Sequence, residues 1–501
     1  MAGKRTIALG KRDEPQTKGA GLPSSNQLTN RPLTKSSFPI RYTGFSPMHI
    51  LLAFLTLSAA LPAATRAIDP DIKAMVDAVS EQHIEATLRK LETFGTRNVH
   101  TNDASDAAGI GAARRWIFAQ LQSYSPRLQV RFDTHKVKKQ GRIQKDIELV
   151  NVVAVLPGTS EKERQIVVSG HYDSLAFSAN RTEDSPPSDE ATKLEYANFT
   201  RTAPGVTDDG SGTAAVMELA RVMSAHQFRK TIVFIAFAGE EMGLIGSSLY
   251  AENARKANDQ IEAVLNNDII GSEVSGNGFR DNGSVRVFSE DPNDSPSRQL
   301  ARYIHDTGAR YFPAMRVDMI FRADRFSRGG DHTPFNQQQF AAVRFTTPAE
   351  NFANQHSATD TFANTSVPYA TRVAKVNIAA AANLAQAPKT PVTDNVIQQG
   401  ERKGQVSPMI ARGKSRYDAV LKWKNDQPEP DLDGYIIVER STQAPDWEHE
   451  TYVGNVLTYT FENVSIDDRV FGVKSIDKQG HESQVAPYVF KPRALRKIET
   501  Y

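Results

Sequence analysis

Histidine and carboxylate side chains cluster at four places in the middle of the chain. They are His171 with Asp173, Asp208 with Asp209, Glu240 with Glu241, and Asp268. A hard or borderline cation needs several anionic or imidazole donors at one point, and two cations need a carboxylate between them to screen their repulsion. Because the sequence contains no cysteine, only nitrogen and oxygen donors could hold such ions. The clusters therefore predict metal chemistry, provided that the fold brings them together.

Three of these clusters follow short hydrophobic runs that are rich in β-branched and aromatic residues. The runs cover 165–168, 231–237 and 261–265. Runs of this kind are typical of strands buried on both faces, which indicates a mostly parallel sheet with helices on either side. In open α/β sheets the ligand lies outside the carboxyl ends of the strands. We therefore expect a doubly wound α/β domain with one functional site at that edge of the sheet.

Local geometry predicts different roles for neighbouring residues within the clusters. In an extended strand residues i and i+2 face the same way, so Asp173 can hold the ring of His171 by the nitrogen that does not bind metal. The side chains of Glu240 and Glu241 diverge, so one can bind metal while the other acts as general base on a bound water. Each cluster alone could be a core histidine, a helix cap or a solvated pair. Their combination in this order favours a site for metal-assisted hydrolysis.

Between about residues 80 and 387 the chain resembles the M28 family of co-catalytic zinc aminopeptidases. The resemblance lies in five motifs: Gly170-His171-Tyr172-Asp173-Ser174, Asp208-Asp209-Gly210-Ser211-Gly212, Gly239-Glu240-Glu241-Met242-Gly243, Asn267-Asp268 and Gln355-His356-Ser357-Ala358-Thr359-Asp360. It implies two zinc ions per chain, bound by His171, Asp208, Glu241, Asp268 and His356. Asp208 would bridge both ions. His171 and Asp268 would complete one zinc site, and Glu241 and His356 would complete the other.

The mechanism implied by this resemblance is attack of a metal-bridging hydroxide on the peptide carbonyl. Glu240 would take the water proton and later give it to the leaving amine, and Asp173 would support His171. A second histidine, His332 after Asp331, competes for the place of the last ligand. In the family that histidine is not the ligand, so we expect Asp331 and His332 to lie near the pocket, in a supporting, substrate-facing or purely structural role.

The resemblance implies an enzyme that removes N-terminal residues from peptides or proteins. A glutaminyl cyclase shares this fold and most of these ligands but uses one zinc, and a carboxypeptidase is a further alternative. A catalytically dead binding protein is a third, although all five ligands and Glu240 are present. A formal net charge of +2 gives no reason to expect nucleic acid as a partner. The sequence does not indicate an oligomeric state or a substrate side-chain preference.

The N-terminal residues predict a secreted or periplasmic protein. Residues 1–47 are polar and basic without apolar periodicity, which indicates disorder or an upstream extension. Residues 48–67 contain an apolar run, too short for a comfortable membrane span, followed by small residues. This pattern predicts a signal peptide cleaved after Ala67, without stable membrane insertion afterwards. An uncleaved N-terminal anchor is the alternative.

Composition and periodicity divide the rest of the chain. Residues 68–388 form the predicted zinc peptidase domain, with a long polar loop at 175–206 near the rim of the site. Residues 389–405 read as a linker. Residues 406–501 carry short alternating strands that resemble a fibronectin type III β-sandwich. None of the proposed ligands lies in this C-terminal module, so we expect few contacts across the linker and no part for the module in the chemistry.

Overall fold

An eight-stranded sheet lies at the centre of the predicted peptidase domain. The computed structural model describes residues 68–101, 105–177, 197–397, 399, 403–426 and 429–490. In spatial order the sheet is β1-β2-β6-β3-β7-β10-β8-β9. Its strands are β1 (Gln129–Val137), β2 (Ile147–Leu156), β3 (Glu161–His171), β6 (Lys230–Phe237), β7 (Gln260–Asn267), β8 (Ser284–Phe288), β9 (Arg316–Ile320) and β10 (Ala342–Thr346). The predicted signal peptide and the extension before it lie outside the described residues.

Helices cover both faces of this sheet. They are α1 (Pro70–Asp77), α2 (Glu81–Thr93), α3 (Gly109–Tyr124), α4 (Ser211–Met223), α5 (Ile245–Ala257), α6 (Pro296–Tyr311), α7 (His332–Gln337) and α8 (Val367–Gln386). Alternate residues of β6 belong to two separate hydrophobic clusters. Ile232 and Phe234 pack in the larger cluster with α2, α4 and α8, whereas Val233 and Phe237 pack with α5 and α7. Burial on both faces explains why the strand reads as a continuous apolar run.

The sheet confirms the predicted α/β class and its mostly parallel character. The pairs β3–β6, β3–β7, β7–β10 and β8–β9 are parallel, and β1–β2, β2–β6 and β8–β10 are antiparallel. The two strands that precede the His171 strand form an antiparallel hairpin at one edge. However, β6 lies between this hairpin and β3. The crossover inserts the strand that leads to Glu240 beside the strand that ends at His171.

Two separately capped helices, α1 and α2, precede α3. Ser80 lies between α1 and α2, and its hydroxyl accepts a hydrogen bond from the amide of His83 (3.3 Å). Asp69 caps α1 in the same way, accepting from the amide of Asp71 (2.7 Å). Such side-chain caps satisfy amides that have no partner inside the helix, so each cap residue marks a helix start. Ile72, Ile84 and Leu88 are buried on the sheet side of these helices.

The C-terminal residues form small antiparallel sheets around their own core. Two short strands of the α/β part, β4 (Ala176–Phe177) and β5 (Ala197–Asn198), pair with each other outside the large sheet. The C-terminal strands are β11 (Asp394–Ile397), β12 (Gln405–Pro408), β13 (Ile410–Ala411), β14 (Ala419–Lys422), β15 (Leu432–Ser441), β16 (His449–Gly454), β17 (Thr458–Phe461), β18 (Arg469–Asp477) and β19 (Ala486–Pro487). One sheet has the order β13-β14-β17 and another β16-β15-β18-β19. Leu421, Trp423, Tyr435 and Phe471 pack between them. The likeness to fibronectin type III stays a prediction.

The structure differs in two ways from the prediction of an unstructured linker with few contacts across it. Asp394–Ile397, inside the predicted linker, is a strand that pairs with Gln405–Pro408. Its sequence, Asp-Asn-Val-Ile, does not alternate between apolar and polar residues, so the pattern did not predict a strand. Ion pairs also join the two parts of the chain: Arg440 Nη2 with both oxygens of Asp294 (2.8 and 2.9 Å), His481 Nε2 with Asp69 (2.8 Å) and Arg229 Nη1 with Asp431 (3.0 Å). Because these partners are far apart in sequence, no local pattern could reveal them. The C-terminal sheets are therefore firmly attached to the α/β part.

Across the part of the chain that the structure describes, no helix has both the length and the hydropathy that a membrane crossing requires.

Candidate metal centre and active-site pocket

The carboxyl ends of three neighbouring strands bring the predicted site residues together. His171 ends β3, Glu240 and Glu241 follow β6, and Asp268 follows β7. The strands β6 and β7 flank β3 and run parallel to it. Asp208 lies in the turn Val206–Gly210, which precedes α4, and its own backbone is not helical. His356 comes from the loop between β10 and α8, so five separate segments contribute to one edge of the sheet.

Asp208 lies between the two histidines, with one oxygen toward each. His171 Nε2 is 3.3 Å from Asp208 Oδ1, and His356 Nε2 is 3.2 Å from Asp208 Oδ2. The other proposed ligands complete two groups: Asp268 Oδ1 lies 3.8 Å from His171 Nε2, and Glu241 Oε1 lies 3.4 Å from His356 Nδ1. Two donors at zinc–ligand distance and tetrahedral angle are separated by about 3.3 Å. On the His171 side these separations suit one ion. On the other side Asp208 and Glu241 lie nearest to different nitrogens of the His356 ring, and an ion there would use only one of them. One donor atom from each of these three residues lies within 4.8 Å of the others, so a second ion that shares the Asp208 carboxylate fits as well.

The hydrogen bonds of His171 favour a cation at its second ring nitrogen. Its Nδ1 lies 3.1 Å from the backbone carbonyl of Asp173. Because a carbonyl oxygen only accepts, Nδ1 carries a proton, and Nε2 presents its lone pair to a metal whenever the ring is neutral. That buried Nε2 has no hydrogen-bond partner and faces two carboxylate oxygens. A metal ion between these three acceptors satisfies all of them, so the residues fit zinc.

Asp209 also lies within reach of His171 and Asp268, but backbone amides donate to both of its oxygens. It accepts hydrogen bonds from the amides of His171 (3.0 Å), Gly212 (2.8 Å) and Ile269 (3.2 Å). These three amides belong to the end of β3, the start of α4 and the loop after β7. Asp209 therefore fastens the three segments that carry one half of the centre, while Asp208 is left to face the metal.

Asp173 links the His171 strand to the glutamate pair. The amides of Glu240 and Glu241 donate to its two carboxylate oxygens, both at 3.3 Å. His171 Nδ1 lies 3.5 Å from Asp173 Oδ1, farther than from the backbone carbonyl. The predicted support of His171 is thus provided mainly by the main chain of Asp173. The carboxylate of this residue instead positions the backbone of the proposed general base.

Glu240 has the environment of a weak acid. Burial raises the pKa of Glu240 to about 8, and the nearby carboxylates of Asp268, Asp331 and Asp208 act in the same direction. Cations bound between those carboxylates would offset part of this effect by neutralising their charge. A carboxylate whose pKa approaches neutrality can both accept and return a proton near neutral pH.

The centre opens into a pocket of about 250 Å³. Its lining includes the proposed ligands Asp208, Glu241, Asp268 and His356 together with Glu240. The ring of Phe177 also lines the pocket, where it stacks on His356 with 3.9 Å between ring centroids. Four arginines complete its charged surface: Arg142, Arg325, Arg328 and Arg344. The catalytic groups are therefore accessible to a small substrate group from this side.

Asp331 and His332 lie behind this pocket rather than in its lining. Both are completely buried, and His332 Nε2 lies 2.8 Å from the carbonyl of Ala323. This contact ties α7 to the loop that carries Arg325 and Arg328. Of the roles considered for His332, the placement favours a structural one.

Sequence reasoning assigned no role to three residues that hold the centre together, although two of them, Asp209 and Asp360, lie in the quoted motifs. The carboxylate of Asp360 accepts from the amides of Thr207 (2.8 Å) and Asp208 (3.0 Å). Buried Arg97 donates to the carbonyls of Tyr172 (2.7 Å) and Gly205 (2.9 Å), joining the end of β3 to the turn that carries Asp208. Asp209 acts as described above. Asp360 is the last residue of the motif that contains His356, but nothing in the sequence distinguishes Arg97.

Comparison with known proteins agrees with this centre. The model of Peptidase family M28 matches residues 151–381. A "Probable zinc metalloprotease" of Pyrenophora tritici-repentis is 35% identical over 448 residues, which cover 83% of this chain and 86% of the relative. One of Pyricularia oryzae is 35% identical over 463 residues, covering 85% of each. The chain belongs to peptidase family M28 and is a zinc metalloprotease by family.

Among solved structures, the LapA aminopeptidase of Legionella pneumophila is similar with a TM-score of 0.47 and 21% identity. That similarity covers 64% of this chain and 76% of LapA.

Proposed function

We propose that this chain is a secreted aminopeptidase with two zinc ions, which removes N-terminal residues from peptides. The observation that carries the proposal is the placement of Asp208, whose two oxygens lie 3.3 and 3.2 Å from the imidazoles of two different donor groups. A shared carboxylate of this kind is what two cations require and what a single zinc does not. The motif resemblance to the co-catalytic aminopeptidases supports the choice of substrate terminus.

The chain's own residues divide the work of hydrolysis. Bound zinc ions supply Lewis-acid activation of water and of the substrate carbonyl. Glu240, in the pocket lining, takes the proton of the attacking water and returns it to the leaving amine. Asp173 holds the backbone amides of Glu240 and Glu241 in place. Asp209 and Asp360 keep the segments that carry His171, Asp208 and Asp268 in register.

Secretion enters the proposal from the N-terminal sequence pattern alone. The apolar run and small residues within 48–67 favour export and removal of the segment before the enzyme reaches its substrates. N-terminal sequencing of protein recovered from the culture medium checks this part. A mature N-terminus at Ile68 is the expected result.

The proposed reaction is tested with leucine para-nitroanilide and its N-acetylated form. Purified protein should hydrolyse the free substrate, lose this activity with a chelator, regain it with zinc, and leave the acetylated substrate intact. Equal hydrolysis of both substrates would contradict the aminopeptidase assignment. Cyclisation of an N-terminal glutamine without hydrolysis would favour the one-zinc cyclase instead.

A further inference from the structure

The two proposed histidine ligands are supported in different ways. His171 donates from Nδ1 to the backbone carbonyl of Asp173, which leaves its other nitrogen for a cation. The buried Nδ1 of His356, in contrast, has no hydrogen-bond partner. Metal-binding histidines usually donate from their other ring nitrogen to a carboxylate, a carbonyl or water, and this bond fixes the orientation of the ring. The orientation of the His356 ring therefore depends on a different kind of contact.

An aromatic ring covers one face of His356. The ring of Phe177 is stacked on the imidazole, with 3.9 Å between the ring centroids and an angle of 6° between the ring planes. Aromatic pairs of defined geometry attract each other beyond the effect of the area that they bury. The lone pair of an imidazole nitrogen lies in the plane of its ring. A contact that holds this plane thus also holds the direction in which His356 can bind a cation.

The backbones of these two residues are joined as well. The amide of Phe177 donates to the carbonyl of His356 (3.0 Å). His356 has a left-handed backbone conformation, with φ at 53°. This conformation is uncommon outside glycine and costs free energy that surrounding contacts must offset. One residue, Phe177, therefore holds both the backbone and the side chain of the proposed ligand.

Arg142 extends the arrangement to Glu241, the other proposed ligand of the same ion. The guanidinium carbon of Arg142 lies 5.6 Å from the centre of the Phe177 ring. Its Nη1 donates to the backbone carbonyl of Glu241 (2.6 Å). Arg142 comes from the connection between β1 and β2, whereas Phe177 ends β4. Two separate segments thus meet at the Phe177 ring, and each of them contacts one ligand.

We propose that Phe177 is a positioning residue for the zinc ion that Glu241 and His356 would hold, and that it raises the affinity for this ion. The face of an aromatic ring is negative. It attracts an imidazole whose electrons are drawn toward a cation more strongly than it attracts a free imidazole. The stack therefore favours the metal-bound state of His356. This inference rests on the proposed two-zinc centre and adds a residue that none of the five motifs contains.

The zinc affinity of two Phe177 variants tests this role. Phe177→Leu keeps an apolar side chain but removes the ring. Competition with a chromogenic chelator should show one of the two ions bound about tenfold more weakly and the other unchanged. Phe177→Tyr keeps the ring and should keep both affinities. Equal weakening in the two variants would show that the ring is not the cause and would overturn the proposal.

Cobalt substitution gives a second measurement that a purely structural role would not affect. The visible absorption of Co²⁺ depends on the geometry of its ligands. The spectrum of the cobalt-loaded protein should change in Phe177→Leu and stay the same in Phe177→Tyr. A spectrum that is identical in the wild type and Phe177→Leu would contradict a positioning role.

Phe199→Leu is the matched control. Phe199 follows β5, which pairs with the strand that contains Phe177. Its ring meets the ring of His100, which is not a proposed ligand, at 4.8 Å between centroids. This change removes an aromatic contact with a histidine from the same part of the chain, so both zinc affinities should survive. Equal weakening in Phe177→Leu and Phe199→Leu would assign the effect to the packing of this region and overturn the proposal.

A measurement on the wild-type protein applies if Phe177→Leu does not fold. Protons that lie over the face of an aromatic ring are shifted upfield in an NMR spectrum. The ring protons of His356 should show this shift in zinc-loaded protein with labelled histidine, and His356→Ala should identify the signal. A His356 signal without an upfield shift would overturn the stack.

The outcomes separate this proposal from the proposed function. A single zinc in the wild type, weakened by Phe177→Leu, would contradict the two-zinc centre and support the role of Phe177. Two zinc ions that Phe177→Leu binds as tightly as the wild type, together with hydrolysis of leucine para-nitroanilide, would overturn the role of Phe177. The proposed aminopeptidase would then still stand.

Discussion

The metal centre and the contact between the α/β part and the C-terminal sheets both bury many charged side chains, but they balance them differently. At the contact, charges of opposite sign pair directly, as in Arg440 with Asp294 and His481 with Asp69. At the metal centre, carboxylates surround two imidazoles, and the buried Nε2 of His171 has no hydrogen-bond partner. Buried charge is costly unless it is paired. The contact satisfies this requirement within the protein, whereas the centre would satisfy it with bound zinc.

The largest effect should follow a change at Glu240. We predict that Glu240→Gln lowers kcat by about 100- to 10,000-fold, because an amide cannot accept the water proton. Zinc content and melting temperature should stay near those of the wild type, since the side chain is not a proposed ligand. Steady-state kinetics and elemental analysis on the same sample provide the measurement. A kcat close to the wild-type value would remove Glu240 from the general-base role.

A change at the domain contact should cost stability rather than chemistry. Asp294→Ala leaves Arg440, which is 1% exposed, without the carboxylate whose two oxygens its Nη2 contacts. We predict a loss of about 3–5 kcal/mol in the free energy of unfolding, typical of a broken buried pair, with kcat of the folded protein unchanged. Urea unfolding followed by circular dichroism measures this.

The exposed pair Arg412 and Asp467 supplies the control for that change. Their side chains are 55% and 69% exposed, so Asp467→Ala should cost less than about 1 kcal/mol. Equal losses for Asp294→Ala and Asp467→Ala would mean that burial does not distinguish the two pairs. A fall in kcat with Asp294→Ala would instead show that the C-terminal sheets shape the active site.

A smaller, pH-dependent effect is expected at His481. Burial alone would lower its pKa, but hydrogen bonds and charges from Asp477 and Asp69 raise it above the usual 6.5. A raised histidine pKa stabilises the fold fully below the unfolded pKa, and this contribution is lost as the pH rises through the folded pKa. Burial also opposes ionisation of Asp69, yet hydrogen bonds from His481 and two amides lower its pKa below 3.8. The contribution of Asp69 to the free energy of unfolding is therefore lost only as the pH falls through its lowered pKa.

We predict that His481→Gln reduces the free energy of unfolding most between about pH 4 and 6.5, where both partners are charged in the wild type. Above that range the difference from the wild type should shrink. Urea titrations of both proteins at several pH values measure it. A difference that stays constant from pH 5 to pH 9 would show that the pair does not contribute through its charge.

Sequence reasoning found the residues at strand ends because local features mark them. A buried strand leaves an apolar run, and the acids and histidines that follow β3, β6 and β7 stand immediately after such runs. The motif containing His356 was assigned through its resemblance to a known family rather than through local structure. The sheet class was likewise readable from these apolar runs.

What the sequence could not show are contacts between residues distant in the chain. Arg344 touches Asp268, and Asp360 holds the amide of Asp208 across 152 residues. The gathering of three arginines around Glu350, and the ion pairs at the domain contact, also depend on tertiary structure. Neither the spacing nor the composition of the chain carries this information, because the partners lie in separate segments whose approach is set by the order of strands.

The number of zinc ions per folded chain tests the account most directly. Elemental analysis of dialysed wild-type protein should give two, because Asp208 offers one oxygen to each donor group. Asp208→Ala should lose both ions, whereas His171→Ala and His356→Ala should each weaken one. A single zinc in the wild type, or two tightly held ions in Asp208→Ala, would contradict a centre built around this shared carboxylate.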